Sequence, residues 1–217
     1  MKARLDALLQ REQAEYLERL HPSGEGLIGE MESFAAEHRV PIADREVATF
    51  LEITASATGA RRVLEIGMAI GYSVIHLLRG MREGGEVVTI EPSEEMIARA
   101  TSYFEREGVA GRVRVERGYA LEVLPRLTGE FDIVYLDAVK EEYEEYLRLS
   151  LPLLRRGGLV IADNLLWGGQ VATAPREPGQ TASTEALRKF NESFVRHPQL
   201  RAQVLPVGDG LGYAVKL

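Results

Sequence analysis

Apolar and polar positions along this chain change period near residue 60. Before it, the spacing is helical. Leu5, Leu8, Leu9, Tyr16, Leu17 and Leu20 recur at mostly helical intervals until His21-Pro22-Ser23-Gly24 breaks the run. Leu27, Ile28, Met31, Phe34 and Ala35 predict a second helix that stops before Pro41, and a third is expected from Asp44, a plausible N-cap, to Gly59. From Arg61 onward, short β-rich runs alternate with helical stretches. Strands are predicted at 63–66, 86–91, 113–116, 131–136 and 159–162, with helices at about 73–82, 93–107, 119–127 and 141–154 between them. Two last strands, about 202–207 and 212–217, are separated only by Gly208-Asp209-Gly210, which permits a hairpin and no parallel crossover. The expected fold is α/β: a doubly wound, mostly parallel sheet of Rossmann-like type, closed by a C-terminal antiparallel hairpin and preceded by N-terminal helices. A single domain is expected over 1–217, with 1–59 as a helical cap and 60–217 as the α/β core.

In such sheets ligands bind beyond the carboxyl ends of the strands, near the switch in strand order. Polar residues that follow apolar runs are therefore the candidates. The first strand leads into Glu65-Ile66-Gly67-Met68-Ala69-Ile70-Gly71-Tyr72-Ser73. Its glycines let the backbone turn sharply, and the helix behind it offers free N–H groups to an anion. The spacing is G-x-x-x-G, so the G-x-G-x-x-G fingerprint of dinucleotide sites is absent. A ligand with a carboxylate and no pyrophosphate fits better. Glu91, at the end of the second strand, stands where an acid can hold ribose hydroxyls, although it also suits the following helix N-terminus.

The fourth strand ends at Asp137-Ala138-Val139-Lys140 and the fifth at Asp163-Asn164. Taken singly, Asp137 reads as a helix N-cap and Asp163-Asn164 as an Asx turn. One right-handed crossover joins the two strands, so their ends are expected side by side. Two carboxylates and an amide oxygen would then converge, a set suited to Mg²⁺. Lys140, three residues after Asp137, would face the same pocket, where a lysine can act as a general base.

Composition narrows the field a little. The net charge of −7 argues against a broad phosphate-binding surface. No cysteine is present, which excludes disulfides and thiolate metal sites. The first twenty residues are charged throughout, and no apolar run reaches bilayer length, so a cytoplasmic location without membrane contact is expected.

The ordered set E-I-G-x-x-x-G-Y-S, Glu91, D-A-x-K and D-N-x-L-W resembles the catechol and caffeoyl-CoA O-methyltransferases and their bacterial relatives, over roughly Val40 to Leu217. The resemblance implies methyl transfer from S-adenosylmethionine (SAM) to a hydroxyl of a catechol-like aromatic, with Mg²⁺ or another divalent cation. It implies Asp137, Asp163 and Asn164 as metal ligands and Lys140 as base, with Asp137 also in the catalytic set. Ile42, Glu65, Gly67, Met68, Gly71, Ser73, Glu91, Ala120 and Asp137 would line the SAM site, with Trp167 near the substrate entrance. Met68 stands where a small or hydroxylated residue is frequent, and Tyr119 where Asp or Pro is usual. The stretch Gly168 to Ser183 is expected to be a substrate-selecting loop. Relatives of this kind are commonly homodimers. Glu30-Met31-Glu32, Glu37-His38 and Val40-Pro41-Ile42 also resemble bacterial members that methylate 5-hydroxyuridine in tRNA; Arg4, Arg11, Arg19, Arg176, Arg188 and Lys189 would then meet phosphates. A SAM-binding module without catalysis remains the alternative from another class.

Overall fold

Both faces of the central strands are apolar, so the sheet has to be covered on each side, and it is. The structure is a computed structural model that describes residues 11–20, 23–172 and 181–217. Three helices come first: α1 (Arg11–Leu20), α2 (Gly26–His38) and α3 (Arg45–Thr58). Then follow β1 (Arg62–Ile66), α4 (Tyr72–Gly80), β2 (Glu86–Glu91), α5 (Glu94–Glu107), β3 (Val113–Arg117), α6 (Ala120–Val123), β4 (Phe131–Leu136), α7 (Tyr143–Ser150) and β5 (Leu154–Ala162). The chain closes with α8 (Thr181–Val195), β6 (Leu200–Leu205) and β7 (Leu211–Lys216). Leu5, Leu8, Leu9, His21, Pro22 and residues 173–180, half of the expected substrate loop, lie outside the described residues. Among the described residues no helix is long and apolar enough to cross a membrane.

The strands form one seven-stranded sheet in the order β3-β2-β1-β4-β5-β7-β6. β1 to β5 pair in parallel, and β7 lies antiparallel between β5 and β6. The order reverses between β1 and β4, which sets the switch point at the ends carrying Gly67 and Asp137. Alternate strand residues feed two cores. Val63, Val87, Ile133 and Ile161 pack toward α2 to α5, while Leu64, Val88, Val134 and Val160 pack toward α6, α7 and α8.

Three local expectations are corrected. The helix expected over 119–127 is one α-turn followed by a 3₁₀ turn at Leu124–Arg126. Pro125 has no N–H to continue the ladder. The helix expected over 141–154 is framed by 3₁₀ turns at Lys140–Glu142 and Leu151–Leu153, the second containing Pro152. β5 begins five residues early, because Leu154 pairs with Phe131 and Arg155 bonds Asp132 at 2.6 Å. Asp44 does occupy the N-cap position of α3, but its side chain makes no capping bond.

Candidate active site

The glycine loop after β1 is bent against the end of β4. Gly67 holds φ 99°, and a Cβ there would lie 2.1 Å from the Asp137 carbonyl oxygen, so no other residue fits. Ala69 is also left-handed, with φ 46°. Its N–H donates to Glu91 Oε2 at 2.9 Å, and the Ser93 N–H donates to Glu91 Oε1 at 2.9 Å. Glu91 thus ties the loop to the start of α5 from a buried position. Gly71 caps α4 in a left-handed conformation, leaving the first amides of that helix for an anion.

Glu65 sits deeper than a ligand-facing acid. It is fully buried, and its two oxygens accept from Ser73 Oγ and Thr89 Oγ1, each at 2.5 Å. Burial pushes its pKa up to about 7, with the two hydroxyls pulling the other way. Ser73 therefore spends its hydroxyl proton inside the protein. Met68 and Ala120 are buried close to the loop and to the end of β3. Ile42 lines a cavity of about 1270 Å³ between α2, α3 and the 206–209 turn, together with Asp44 and Asp209.

Asp137 and Asp163 extend their strands by one bond each: Asp137 N–H donates to Ile66 O, and Asp163 N–H to Leu136 O, both at 2.9 Å. The ends of β1, β4 and β5 are thereby stepped side by side. The Tyr135 hydroxyl lies 2.9 Å from Asp163 Oδ2 and 3.5 Å from Asp137 Oδ2, so both carboxylates gather around one phenol. Asp163 is almost fully buried; burial first, then the Asp137 charge, pushes its pKa up to about 7. Asn164 follows with φ 60°, and its side-chain amide makes no hydrogen bond among the described residues. No three His, Cys, Asp or Glu side chains gather as a metal cluster among the described residues. The expected set is instead two carboxylates with an amide as third donor.

Lys140 is buried beside them. Its Nζ donates to Asp137 Oδ1 at 2.9 Å and to the Tyr143 hydroxyl at 2.7 Å, and lies 4.9 Å from the centre of that ring. Burial and the two nearby aspartates hold the Tyr143 pKa well above its ordinary value. The phenol stays protonated and turns its proton to the carbonyl of Leu136 or Asp163, each 3.2 Å away. Lys140 is therefore fixed from two sides.

Trp167 is half-buried against the α6–α8 core, with φ 50° and a buried indole Nε1 that has no hydrogen-bond partner among the described residues. Among the candidate phosphate contacts, Lys189 pairs with Glu144 at 3.1 Å and Arg188 donates to the carbonyls of Gln170 and Val171. The Arg19 guanidinium lies near the Tyr16 ring. Arg4, Arg176 and the Arg11 side chain lie outside the described residues.

Tyr135, Tyr143 and Asp209 were not among the sequence candidates. Tyr135 shares a strand face with Asp137 two residues on, and Tyr143 shares a helix face with Lys140 three residues back. Both signals were readable. Asp209 meets the site only through tertiary contacts.

A family model described as O-methyltransferase matches residues 25–217. The chain is 40% identical to a catechol O-methyltransferase of Mycobacterium tuberculosis over 159 residues, covering 72% of this chain and 70% of the relative. It is 31% identical to a catechol O-methyltransferase of Niastella koreensis over 175 residues, covering 76% and 78% of the two chains. Its fold matches that of an O-methyltransferase from Bacillus cereus, solved in complex with SAH, with a TM-score of 0.82 at 30% identity over 94% of this chain and 96% of the other. The sheet order, the bent glycine loop and the paired strand ends agree with these likenesses, and the chain belongs to the O-methyltransferase family, in its SAM-dependent catechol and caffeoyl-CoA branch.

Proposed function

We propose that this O-methyltransferase moves the methyl group of SAM to one hydroxyl of a catechol-like aromatic, with Mg²⁺ held by Asp137, Asp163 and Asn164 and with Lys140 as general base. The observation that carries the reading is the convergence of Asp137, Asp163 and Lys140 beside the bent glycine loop. Support for the ion comes from the donor set. Two carboxylates and an amide with no hydrogen bond among the described residues offer hard oxygen ligands of the kind Mg²⁺ takes. The raised pKa of Asp163 comes first from burial and second from the charge of neighbouring Asp137, a pair of carboxylates that a cation would neutralise. Bound there, Mg²⁺ would supply Lewis-acid stabilisation of an acceptor oxygen anion.

The remaining steps fall to the chain's own groups. Glu91 and the first amides of α4 bind and orient the cofactor. Lys140 accepts the acceptor's hydroxyl proton at Nζ while the oxygen takes the methyl group and the cofactor leaves as the neutral thioether. Tyr143 and Asp137 aim that amine. Tyr135 keeps Asp163 in place by donating to Oδ2.

The acidic face argues for a small acceptor over tRNA. Arg188 and Lys189 are engaged within the protein, and the cavity wall carries Asp44, Glu46 and Asp209. Exposed Tyr16, Leu17 and Leu20 on α1 support a homodimer, which sedimentation would read directly. The functional test is transfer of labelled methyl from SAM to catechol, caffeic acid, caffeoyl-CoA and hydroxyuridine-containing tRNA. Label in the vicinal diols is expected. Label only in tRNA would move the substrate class, and SAM binding without transfer to any acceptor would leave a binding module.

A further inference from the structure

Four of the six residues from Asn164 to Gly169 hold a left-handed backbone: Asn164 (φ 60°), Trp167 (φ 50°), Gly168 (φ 58°) and Gly169 (φ 80°). Two of these are not glycine, so the segment stores strain and persists only if its surroundings dictate it. Its own backbone supplies two turn bonds, Trp167 N–H to Asn164 O and Gly169 N–H to Leu166 O. The Asn164 N–H donates to Asp163 Oδ1 at 2.7 Å, and further bonds come from two distant elements. On one side, α8 donates from Asn191 Nδ2 to Leu165 O at 2.8 Å and from Arg188 to Gln170 O and Val171 O. On the other, the β6–β7 turn accepts three N–H groups. Leu165 donates to Gly210 O at 2.8 Å, Leu166 to Asp209 O at 2.9 Å, and Gly168 to Asp209 Oδ1 at 2.7 Å.

The turn is packed to suit. A Cβ on Gly210, itself at φ 88°, would lie 2.6 Å from the Leu166 nitrogen, so the close approach needs glycine. Of the turn's three acceptors, only the Asp209 carboxylate is a side chain, and it binds just past Trp167. The same residue lines the cavity with Ile42 and Asp44, and its charge reaches Lys140. The hairpin is thus more than a cover for the sheet edge.

We propose that Asp209 is a positioning residue for the methyl acceptor: by taking the Gly168 N–H it latches the strained segment and holds Asn164 and Trp167 as one wall of the acceptor pocket. The inference rests on the proposed function in one respect, that this segment faces the acceptor. Asp209 touches neither substrate nor cofactor in this role. Its effect passes through the backbone, so it should appear in acceptor binding and in the surroundings of Trp167, while the cofactor side stays as it is.

Trp167 is the only tryptophan of the chain, so its fluorescence reports on this segment alone. Asp209→Ala is expected to red-shift that emission and to raise the acceptor KM roughly tenfold or more, the loss of a charge-assisted hydrogen bond, with SAM affinity unchanged. Asp209→Asn keeps an oxygen for Gly168 and is expected to restore the emission and most of the KM. An Asp209→Ala protein with wild-type emission and wild-type acceptor KM would overturn the proposal. So would an Asp209→Asn protein as impaired as Asp209→Ala with unaltered emission, since the residue would then act through its charge on Lys140. Should Asp209→Ala not fold, hydrogen exchange at the Gly168 amide of the wild type decides: protection is expected, and exchange at a free-loop rate overturns the latch. Emission and exchange need no methyl acceptor, so a failure of the proposed function and a failure of the latch are read separately.

Discussion

The proposed cofactor side and the proposed acceptor side of this site are built on opposite principles. Around the glycine loop, every polar group that bends the chain is bonded within β1, β2 and their following turns. Glu91 takes the Ala69 and Ser93 amides, and Glu65 takes the Ser73 and Thr89 hydroxyls. Across the switch point, Asp137 and Asp163 crowd each other around one phenol, and the chain after Asp163 runs through four left-handed residues held from outside. The first half is braced by its own bonds, with the first amides of α4 left open. The second carries two crowded carboxylates that a cation would neutralise and a left-handed segment braced by distant elements. Binding one invariant cofactor calls for a rigid cradle, while selecting an acceptor calls for parts that can differ without disturbing it.

The comparison breaks most visibly at Lys140. Lys140→Ala is expected to lower kcat by roughly 10²–10⁴-fold, the usual worth of a positioned acid–base group, with SAM binding retained. Single-turnover transfer beside equilibrium SAM binding checks this, and loss of both together would mean that the two sides are not separable. On the cofactor side the expectation is reversed. Glu91→Ala frees two backbone amides and the bent loop, and should weaken SAM by about tenfold or more, as titration calorimetry would show. Proper loading at saturating SAM should then recover most of kcat.

Smaller effects sharpen the contrast through pH. Glu65 has a folded pKa of about 7, above its ordinary 4.5. Its stabilising contribution is therefore fully present below about 4.5 and lost as pH rises through 7. Glu65→Gln should match the wild type in thermal stability near pH 4.5 and exceed it near pH 8. Asp163, raised from 3.8 to about 7, follows the same sign, so the metal-free protein should lose stability over that window. Asp163→Asn should be the more stable protein at pH 8 without metal, yet the less active one with it. Melting curves with EDTA and with Mg²⁺ separate the two residues: added Mg²⁺ should restore stability lost at Asp163 and leave that lost at Glu65.

How much of this was legible in the sequence follows the same division. β2 and β4 were placed to the residue, because strands buried on both faces are mostly apolar runs, here interrupted only by Thr89 and Asp132, with polar residues close after them. The carboxyl ends of β2, β4 and β5 named Glu91, Asp137, Lys140, Asp163 and Asn164. Other features depended on partners far along the chain. The early start of β5 reads as polar and glycine-rich, Arg155-Arg156-Gly157-Gly158, and is settled by Asp132, 23 residues away. Glu65 resembled a ligand-facing acid until Thr89, on the neighbouring strand, accounted for its second oxygen. Asp209 stood in the sequence as a hairpin turn and nothing more; its contact with Gly168 spans 41 residues. Periodicity records which face of an element is buried, but not which remote group its polar atoms meet.

The most direct test of the central claim is methyl transfer to the best acceptor at saturating SAM, with Mg²⁺ against EDTA, in the wild type and in Asp163→Asn. Transfer abolished by EDTA, restored by added Mg²⁺ and lost in Asp163→Asn is the predicted result. Transfer indifferent to EDTA and intact in Asp163→Asn would contradict the account, because the crowded carboxylates would then serve no cation.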